Sequence, residues 1–401
     1  MIKKSWLMLL VMMLLITVNA WAQEAKSGSW LFELKTDHTI IPFIAELNFD
    51  PKKLSGKIIN GKETIPIEKM MVKGKTISIP LQTYENTLEL TIESPTSLKG
   101  YWVRHNKNPK VEIPIVGVFG PTNRFPGKND PPKINLDGKW AIQIAIDHTH
   151  KSQGVAIFEQ KGNVLTGTIL SPTGDYRYLE GFVSDDEFAA ASFDGVMNYL
   201  VKGTVKQNEM RAVMLSTTVT KITGHKDPKA VLPDAYTATQ MEAPLEFSFP
   251  DLKGKKITLT DKQFKNKPVV VQFFGSWCPN CLDEMNYLIP WYNKNKKRGI
   301  EIIALAFERS LSEAEAKVQL LKVQKKAKIT YPLLLAGATS EDKPMDKIKG
   351  LKNFISFPTT IFLNKKHEVV KIHAGFSGPS TGEFYEDWKT EFNKNVDGLL
   401  K

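Results

Sequence analysis

The chain has 401 residues, of which 42% are apolar, and 54 basic against 43 acidic residues give a formal net charge of +11. This length predicts two or three domains, and the apolar content is sufficient for sizeable cores, which excludes a disordered protein. The lysines are scattered apart from a short cluster at 294–298, and no aromatic-and-basic binding motif accompanies them. The composition therefore does not indicate nucleic-acid binding.

The first 22 residues have the pattern of an export signal. Two lysines precede an apolar core at 6–18, and the small residues Ala20 and Ala22 fit signal-peptidase cleavage after position 22. No cysteine follows, which excludes a lipoprotein anchor. The alternative is an uncleaved membrane anchor, although the apolar core is short for a full span. We expect an exported protein, soluble in the periplasm or cell envelope after cleavage.

Residues 23–223 are predicted to be β-rich, because short alternating apolar stretches and turn residues dominate and helix signals are few. Trp30 in Gly-Ser-Trp-Leu-Phe matches Trp140 in Gly-Lys-Trp-Ala-Ile, and two further pairs of segments keep the same offset of about 110 residues. The pattern predicts two repeat units, at about 27–119 and 137–222, each with five or six strands. Such antiparallel units protect their edges by closing or pairing, so a barrel or a sandwich of the two halves is expected.

Two segments after the first repeat are predicted to be a loop and a linker. His148 and His150 lie in a predicted hairpin loop, but an isolated His-x-His pair is seldom a metal site, so no metal is predicted. Residues 224–243 carry turn-forming and polar residues and are predicted to link the β-rich region to a final domain at 244–401.

The two cysteines of the chain, Cys278 and Cys281, lie in the stretch Trp-Cys-Pro-Asn-Cys. The apolar run at 268–274 predicts a buried strand, and the apolar spacing at 282–295 predicts a helix. Both sulfurs would then lie at a helix N terminus, where unpaired N–H groups and the helix dipole stabilise a thiolate, the nucleophile of disulfide exchange. Cys278 is the predicted attacking thiol, and Cys281, on the same helix face, is the predicted resolving thiol.

A structural disulfide and half of a zinc site are the competing interpretations of the pair. A four-cysteine zinc site is impossible with two cysteines, and His367 and His373 lack the short paired spacing of a Cys2His2 site. An exported chain with only two cysteines does not use disulfides as staples, which favours a redox role.

From about 244 to 400, the chain resembles the thioredoxin superfamily, and within it the TlpA/ResA-like thiol-disulfide oxidoreductases of bacterial envelopes. The resemblance rests on the following features in order: Ala243-Pro244, a hairpin-like stretch at 254–259, the strand ending Phe273-Phe274, the Trp-Cys-x-x-Cys motif, and Phe-Pro-Thr-Thr at 357–360. It implies an α/β thioredoxin-like domain, a central mixed sheet flanked by helices, that follows the all-β region.

The resemblance also implies site residues. Pro358 should be cis and face the cysteine pair, where the backbone before it pairs with an extended substrate segment. Trp277, Phe357 and Thr359 would accompany it as substrate-binding residues. An ordinary edge proline is the alternative interpretation of Pro358.

Glu284 follows Cys281 by one helical turn and shares its helix face. It matches a glutamate that the family keeps near the pair, where a partly buried carboxylate can tune thiol protonation or shuttle a proton. A solvated surface glutamate beside Asp283 is the alternative. Classical thioredoxins place a buried aspartate six residues before the first cysteine, where this chain has Gln272, which cannot titrate. An acid-base role must then fall to Glu284 or to water.

The remaining elements fit the same family. Pro290 is expected to kink the active-site helix, 300–307 predicts a second buried strand, and 312–326 predicts an amphipathic helix. This β-α unit matches the extra segment typical of the TlpA/ResA-like group. A strand at 369–374 and a helix from 381 to about 396 are predicted to close the fold.

The favoured function is an envelope oxidoreductase that reduces protein disulfides by dithiol exchange. Its expected partners are disulfide- or thiol-containing proteins and a membrane electron donor, with no cofactor. An oxidase or isomerase would use the same residues. The alternative is a binding module, in which the β-rich half captures a ligand or partner and the thioredoxin-like domain is a scaffold.

Overall fold

A computed structural model describes residues 25–81, 86–145, 151–232 and 239–401. The predicted signal segment, the pair His148 and His150, and part of the predicted linker lie outside these ranges. In the described ranges, no helix has both the length and the apolar character that crossing a membrane requires.

The first repeat forms, in its described residues, an open antiparallel sheet of nine strands in the order β4-β3-β2-β1-β9-β8-β7-β6-β5. In β1, Trp30, Phe32 and Leu34 are fully buried, as the two-residue period of a strand requires when one face is covered. The strands are β1 (Gly28–Lys35), β2 (Ile40–Asn48), β3 (Ser55–Asn60), β4 (Glu63–Ile67), β5 (Met71–Lys73), β6 (Thr76–Pro80), β7 (Asn86–Ser94), β8 (Ser97–Arg104) and β9 (Val111–Phe119).

The second repeat closes into a barrel of eight strands. Its first strand pairs with both its second strand and its last strand, and the second strand also pairs with the third. Buried side chains, among them Trp140, Phe158 and Phe188, fill the interior. The strands are β10 (Gly138–Ala145), β11 (Lys151–Lys161), β12 (Val164–Ser171), β13 (Gly174–Asp175), β14 (Leu179–Ser184), β15 (Glu187–Phe193), β16 (Asn198–Lys206), β17 (Glu209–Leu215) and β18 (Val219–Lys226), with β13 a short addition beside β12.

The expectation of five or six strands in each unit is wrong, since each sheet has nine in the described chain. Strands as short as β5, with three residues, and β13, with two, leave no alternating pattern to detect. The expected barrel and the expected packing of the two halves both occur. The buried face of the open sheet covers the outer wall of the barrel, where Phe43 stacks on Phe193 with 4.2 Å between ring centroids.

Strand β18 runs past position 223, the predicted end of the β-rich region. Two minor pairs follow in the described chain: β19 (Gln240–Met241) with β25 (Leu351–Lys352), and β20 (Phe249–Pro250) with β21 (Lys256–Ile257). The second pair forms the hairpin predicted around 254–259.

The last domain is built on a mixed five-stranded sheet in the order β24-β23-β22-β26-β27, as the resemblance implied. The first three of these strands are parallel, and the last two are antiparallel to their neighbours. The strands are β22 (Val269–Phe274), β23 (Glu301–Phe307), β24 (Leu333–Gly337), β26 (Thr359–Leu363) and β27 (Val369–Ala374), and the α-helices are α1 (Pro279–Asn295), α2 (Glu313–Ala327), α3 (Pro344–Lys347) and α4 (Glu383–Leu400).

The predicted helix starts lie within about three residues of the observed ones, whereas the last helix continues to Leu400, past its predicted end at about 396. Ser312 caps α2, since its hydroxyl accepts a hydrogen bond from the Glu315 backbone N–H at 3.3 Å. Pro290 lies inside α1 without ending it. Helix α1 packs Met285 and Leu288 into a core shared with α4, which fixes the helix that carries the cysteines.

Candidate active site

The cysteines lie where a fully buried strand meets a helix. Strand β22 ends at Phe274, and Cys278 is the N-cap of α1, where its sulfur accepts a hydrogen bond from the Cys281 N–H at 3.2 Å. Pro279 occupies the first turn, where a missing N–H costs nothing. The two cysteines are joined by a disulfide; Cys278 keeps 5% of its surface exposed, and Cys281 is fully buried.

The two histidines considered for a zinc site make other contacts. His367 Nε2 lies 3.1 Å from the Phe264 carbonyl oxygen, and His373 Nε2 lies 3.2 Å from Trp388 Nε1. In the part of the chain that the structure describes, no three His, Cys, Asp or Glu side chains are grouped to bind a metal ion.

The peptide bond between Phe357 and Pro358 is cis, as the resemblance implied. Pro358 directly precedes β26, which pairs with strands on both sides, so it is not an edge proline. The carbonyl oxygen of Phe357 lies 3.7 Å from Cys278 Sγ. This carbonyl is therefore an acceptor next to the sulfur that a substrate would approach.

The other two predicted substrate-binding residues differ in position. Trp277 lies over the site, with its Nε1–H donating to the Phe307 carbonyl at 2.8 Å and its ring edge-to-face with Phe357 at 5.5 Å. Thr359 is fully buried, and its hydroxyl donates to the Ser356 carbonyl at 2.8 Å. A substrate contact at Thr359 would therefore have to come from its backbone.

Glu284 is fully buried, which excludes the surface glutamate considered as the alternative. Gln272 Nε2 donates to one carboxylate oxygen at 2.6 Å, and the Thr360 hydroxyl donates to the other at 2.8 Å. Burial raises the pKa of Glu284 to about 7, although both hydrogen bonds favour the charged form. This carboxyl group can therefore gain or lose a proton near neutral pH.

Gln272 suits both protonation states of Glu284. Its Oε1 is buried without a partner while its Nε2 donates to the carboxylate. Rotation of the amide by half a turn would instead present Oε1 to a protonated Glu284. The residue that replaces the thioredoxin aspartate thus does not titrate itself but contacts the group that does.

The barrel contacts the redox motif, a feature that sequence reasoning missed. Asn280, between the cysteines, donates from Nδ2 to the carbonyl oxygen of Asp175 in β13 at 3.1 Å. The Asp175 carboxylate accepts from the Gly378 N–H at 2.8 Å and from the Ser380 hydroxyl at 3.0 Å. Gly174 has φ +134°, and a Cβ there would lie 2.2 Å from Asn280 Nδ2. Only glycine allows this close approach.

A buried ion cluster joins all three parts of the protein. Arg177 of the barrel pairs with Asp283 on α1, with Glu63 of the open sheet, and with Asp194 at 3.6 Å. These carboxylates come from sequence positions far from one another, so no local motif could have indicated the cluster. It fixes the active-site helix against the β-rich region.

A cleft of about 820 Å³ opens between the barrel and the last domain, and Cys278 lies in its wall. Tyr199 and Phe357 contribute apolar surface to it, while Arg104 and Arg309 contribute positive charge. Cys278 thus borders a recess rather than a flat surface.

This geometry supports reversible dithiol-disulfide exchange. Thioredoxin-type domains are the class of protein that carries out this reaction. A family model described as Redoxin matches residues 238–386. The chain is 33% identical over 147 residues to thiol-disulfide oxidoreductase ResA of Bacillus thuringiensis subsp. konkukian, covering 37% of this chain and 74% of that protein. It is 30% identical over 142 residues to thiol-disulfide oxidoreductase ResA of Halalkalibacterium halodurans, covering 35% and 72%.

A solved thiol:disulfide interchange protein of the thioredoxin family from Chlorobium tepidum is 21% identical and covers 40% of this chain and 98% of its own, with a TM-score of 0.30. From the ResA alignments, the chain belongs to the TlpA/ResA-like thiol-disulfide oxidoreductases of the thioredoxin superfamily. It is an oxidoreductase whose substrates are thiol- or disulfide-containing proteins.

Proposed function

We propose that the protein is an envelope disulfide reductase. The Cys278 thiolate attacks one sulfur of a substrate disulfide, which forms a mixed disulfide and releases the first substrate thiolate. Cys281 then attacks Cys278 Sγ, which releases the second substrate thiolate. The substrate gains two electrons and two protons, and the protein is left with the Cys278–Cys281 disulfide.

The observation that carries this proposal is the position of Cys278 between a helix N terminus and the Phe357 carbonyl. The Cys281 N–H points at the Cys278 sulfur at 3.2 Å, and such a donor stabilises a thiolate. Cys278 also keeps the exposed surface of the pair, whereas Cys281 has none. The attacking role of Cys278 and the resolving role of Cys281 follow from these two differences.

Glu284 supplies the acid-base function in this proposal. Its carboxyl group is fully buried one helical turn beyond Cys281, with a pKa raised to about 7 by burial. A group that titrates near neutral pH can accept the proton of the resolving thiol and return it later. Gln272 and Thr360 hold it in place through the two hydrogen bonds described above.

The substrate segment would bind in an extended conformation beside Trp277 and the Phe357 carbonyl, within the cleft. The export pattern of the first 22 residues supports an envelope location. In an oxidising compartment, a reductase needs a reductant from elsewhere, which is why a membrane electron donor is part of the proposal.

A reduction assay on a disulfide-bonded model peptide tests the proposal. Wild-type protein with a chemical reductant should convert the peptide to its dithiol faster than the reductant alone. No acceleration by the wild type would contradict the proposal and favour the binding-module alternative.

A further inference from the structure

Two arginines from different parts of the protein meet at one side of Trp277. The guanidinium of Arg309, just after β23, lies 3.3 Å from the centroid of the Trp277 ring. Arg104, the last residue of β8 in the open sheet, lines the same part of the cleft. The pKa of Arg309 is lowered, first by partial burial of its side chain and then by the charge of Arg104, as expected for two like charges that line one recess.

Neither guanidinium has a carboxylate partner among the described residues. The arginine ion pairs in those ranges involve Arg124, Arg177 and Arg298. Nε of Arg104 is buried and makes no hydrogen bond. Glu308, next to Arg309 in sequence, accepts hydrogen bonds from the Ser276 N–H at 2.8 Å and the Ser276 hydroxyl at 2.6 Å.

Two guanidiniums that line one recess and form no ion pair in the described chain can bind an anion, although the Glu308 carboxylate, which accepts from Ser276, lines that recess as well. A carboxylate can accept parallel hydrogen bonds from each guanidinium and relieve the repulsion between them. The stacking of Arg309 on Trp277 orients its planar group, so less side-chain entropy is lost on binding. Since Trp277 directly precedes Cys278, a carboxylate at this site would belong to a residue close to the substrate disulfide.

We propose that Arg104 and Arg309 bind an acidic side chain next to the substrate disulfide and so select acidic polypeptide segments. The inference deepens the proposed reductase function and rests on it. Aromatic side chains of the cleft, including Tyr199 and Phe354, offer apolar surface for the rest of the segment. Arg104 lies outside the segment at 238–386 that the Redoxin model matches. The open sheet thus supplies a specificity-determining residue to the redox domain.

The test uses two disulfide-bonded peptides that differ only in Asp or Asn beside the cysteine. We expect kcat/KM of the full-length wild type to be about tenfold higher for the Asp peptide, a preference that corresponds to roughly 1.4 kcal/mol. The preference for the Asp peptide should decrease as the salt concentration is raised, because salt screens charges at a partly exposed site. In Arg104→Gln/Arg309→Gln, the ratio of the two kcat/KM values should fall to about one.

Arg211→Gln is the matched control, because it removes the same charge from an exposed position on the outer face of β17. This variant should keep the wild-type ratio. The single variant Arg309→Gln, at an exposed position, should lower the ratio even if the double variant does not fold. An equal rate of turnover of both peptides by the wild type, or an unchanged ratio in the Arg309→Gln variant, would overturn the inference. Turnover of neither peptide would instead contradict the proposed reductase function.

Discussion

Asn280 donates a hydrogen bond of 3.1 Å to the carbonyl oxygen of Asp175, and this bond ties the loop between the two cysteines to the β-barrel. Gly174, the neighbour of Asp175, is fully packed against the same asparagine. The barrel is therefore part of the active-site surroundings, and changes in the β13 turn should alter the behaviour of the cysteines.

Gly174→Ala tests that contact. The added Cβ would lie 2.2 Å from Asn280 Nδ2, so either the asparagine or the turn must move. We expect a loss of stability of roughly 1–3 kcal/mol and a changed alkylation rate of reduced Cys278. Gly162→Ala is the control, since Gly162 also has positive φ but no atom lies within 4 Å of its added Cβ. Equal thermal-unfolding shifts and unchanged alkylation in both variants would mean that the contact has no effect on the site.

Substitution of Cys278 and substitution of Cys281 should have different effects on disulfide exchange. Cys278→Ser should abolish disulfide reduction, because it removes the attacking thiol. Cys281→Ser should accumulate mixed disulfides with substrates, because the partly exposed Cys278 still attacks and nothing resolves the adduct. Non-reducing electrophoresis followed by mass spectrometry detects these adducts. Adducts that form through Cys281 in the Cys278→Ser variant would reverse the assignment.

Glu284→Gln should change the thiol chemistry. Above pH 7 the wild-type carboxylate is charged and disfavours a second negative charge on Cys281, which lies one turn away. The variant should keep its fold, because glutamine can bond to both Gln272 and Thr360, while its alkylation profile shifts to lower pH. Glu313→Gln, at an exposed position on α2, is the control. Superimposable profiles of wild type and Glu284→Gln would show that this carboxylate does not influence the thiols.

The same substitution should change how stability depends on pH. The folded-state pKa of Glu284 is raised from 4.5 to about 7, so between these values the folded state binds more protons than the unfolded state. Its contribution to stability is thus fully present below pH 4.5 and declines by about 3 kcal/mol as pH rises through 7. Denaturant unfolding from pH 5 to 8 should show Glu284→Gln gaining stability relative to the wild type. A constant difference across this range would contradict the raised pKa.

Arg177→Met should be strongly destabilising. It would leave the buried Asp194 and the partly buried Glu63 and Asp283 without their shared partner, a change that typically costs about 3–5 kcal/mol when the carboxylates are buried. Lys62→Met is the control, because it breaks only an exposed ion pair with Glu159, which water and salt screen, and should leave stability nearly unchanged. Denaturant unfolding compares the two variants, and equal losses would argue against a structural role for the cluster.

The sequence was informative where the chemistry depends on local spacing. The strand, the two cysteines and Glu284 lie within one short segment, so periodicity alone was enough to place them on one strand and one helix. The cis bond at Pro358 followed from the family motif.

Contacts between residues that lie far apart in the sequence could not be predicted from local sequence patterns. Asp175 lies 105 residues from Asn280 along the chain, so their hydrogen bond depends on how the barrel packs against the last domain. The meeting of Arg104 with Arg309 depends likewise on how the open sheet packs against the last domain. Burial of Glu284 could be suspected from its helix face, but its bond to Gln272 required the structure.

An equilibrium redox titration of the cysteine pair tests the central claim most directly. The full-length protein is equilibrated in buffers of known potential, quenched with an alkylating reagent, and its free thiols are counted by mass. We predict reversible two-electron conversion of Cys278 and Cys281, with a midpoint closer to that of thioredoxin, about −270 mV, than to that of DsbA, about −120 mV. A midpoint near the DsbA value would contradict the reductase direction, and a pair that stays oxidised at all accessible potentials would contradict a redox function altogether.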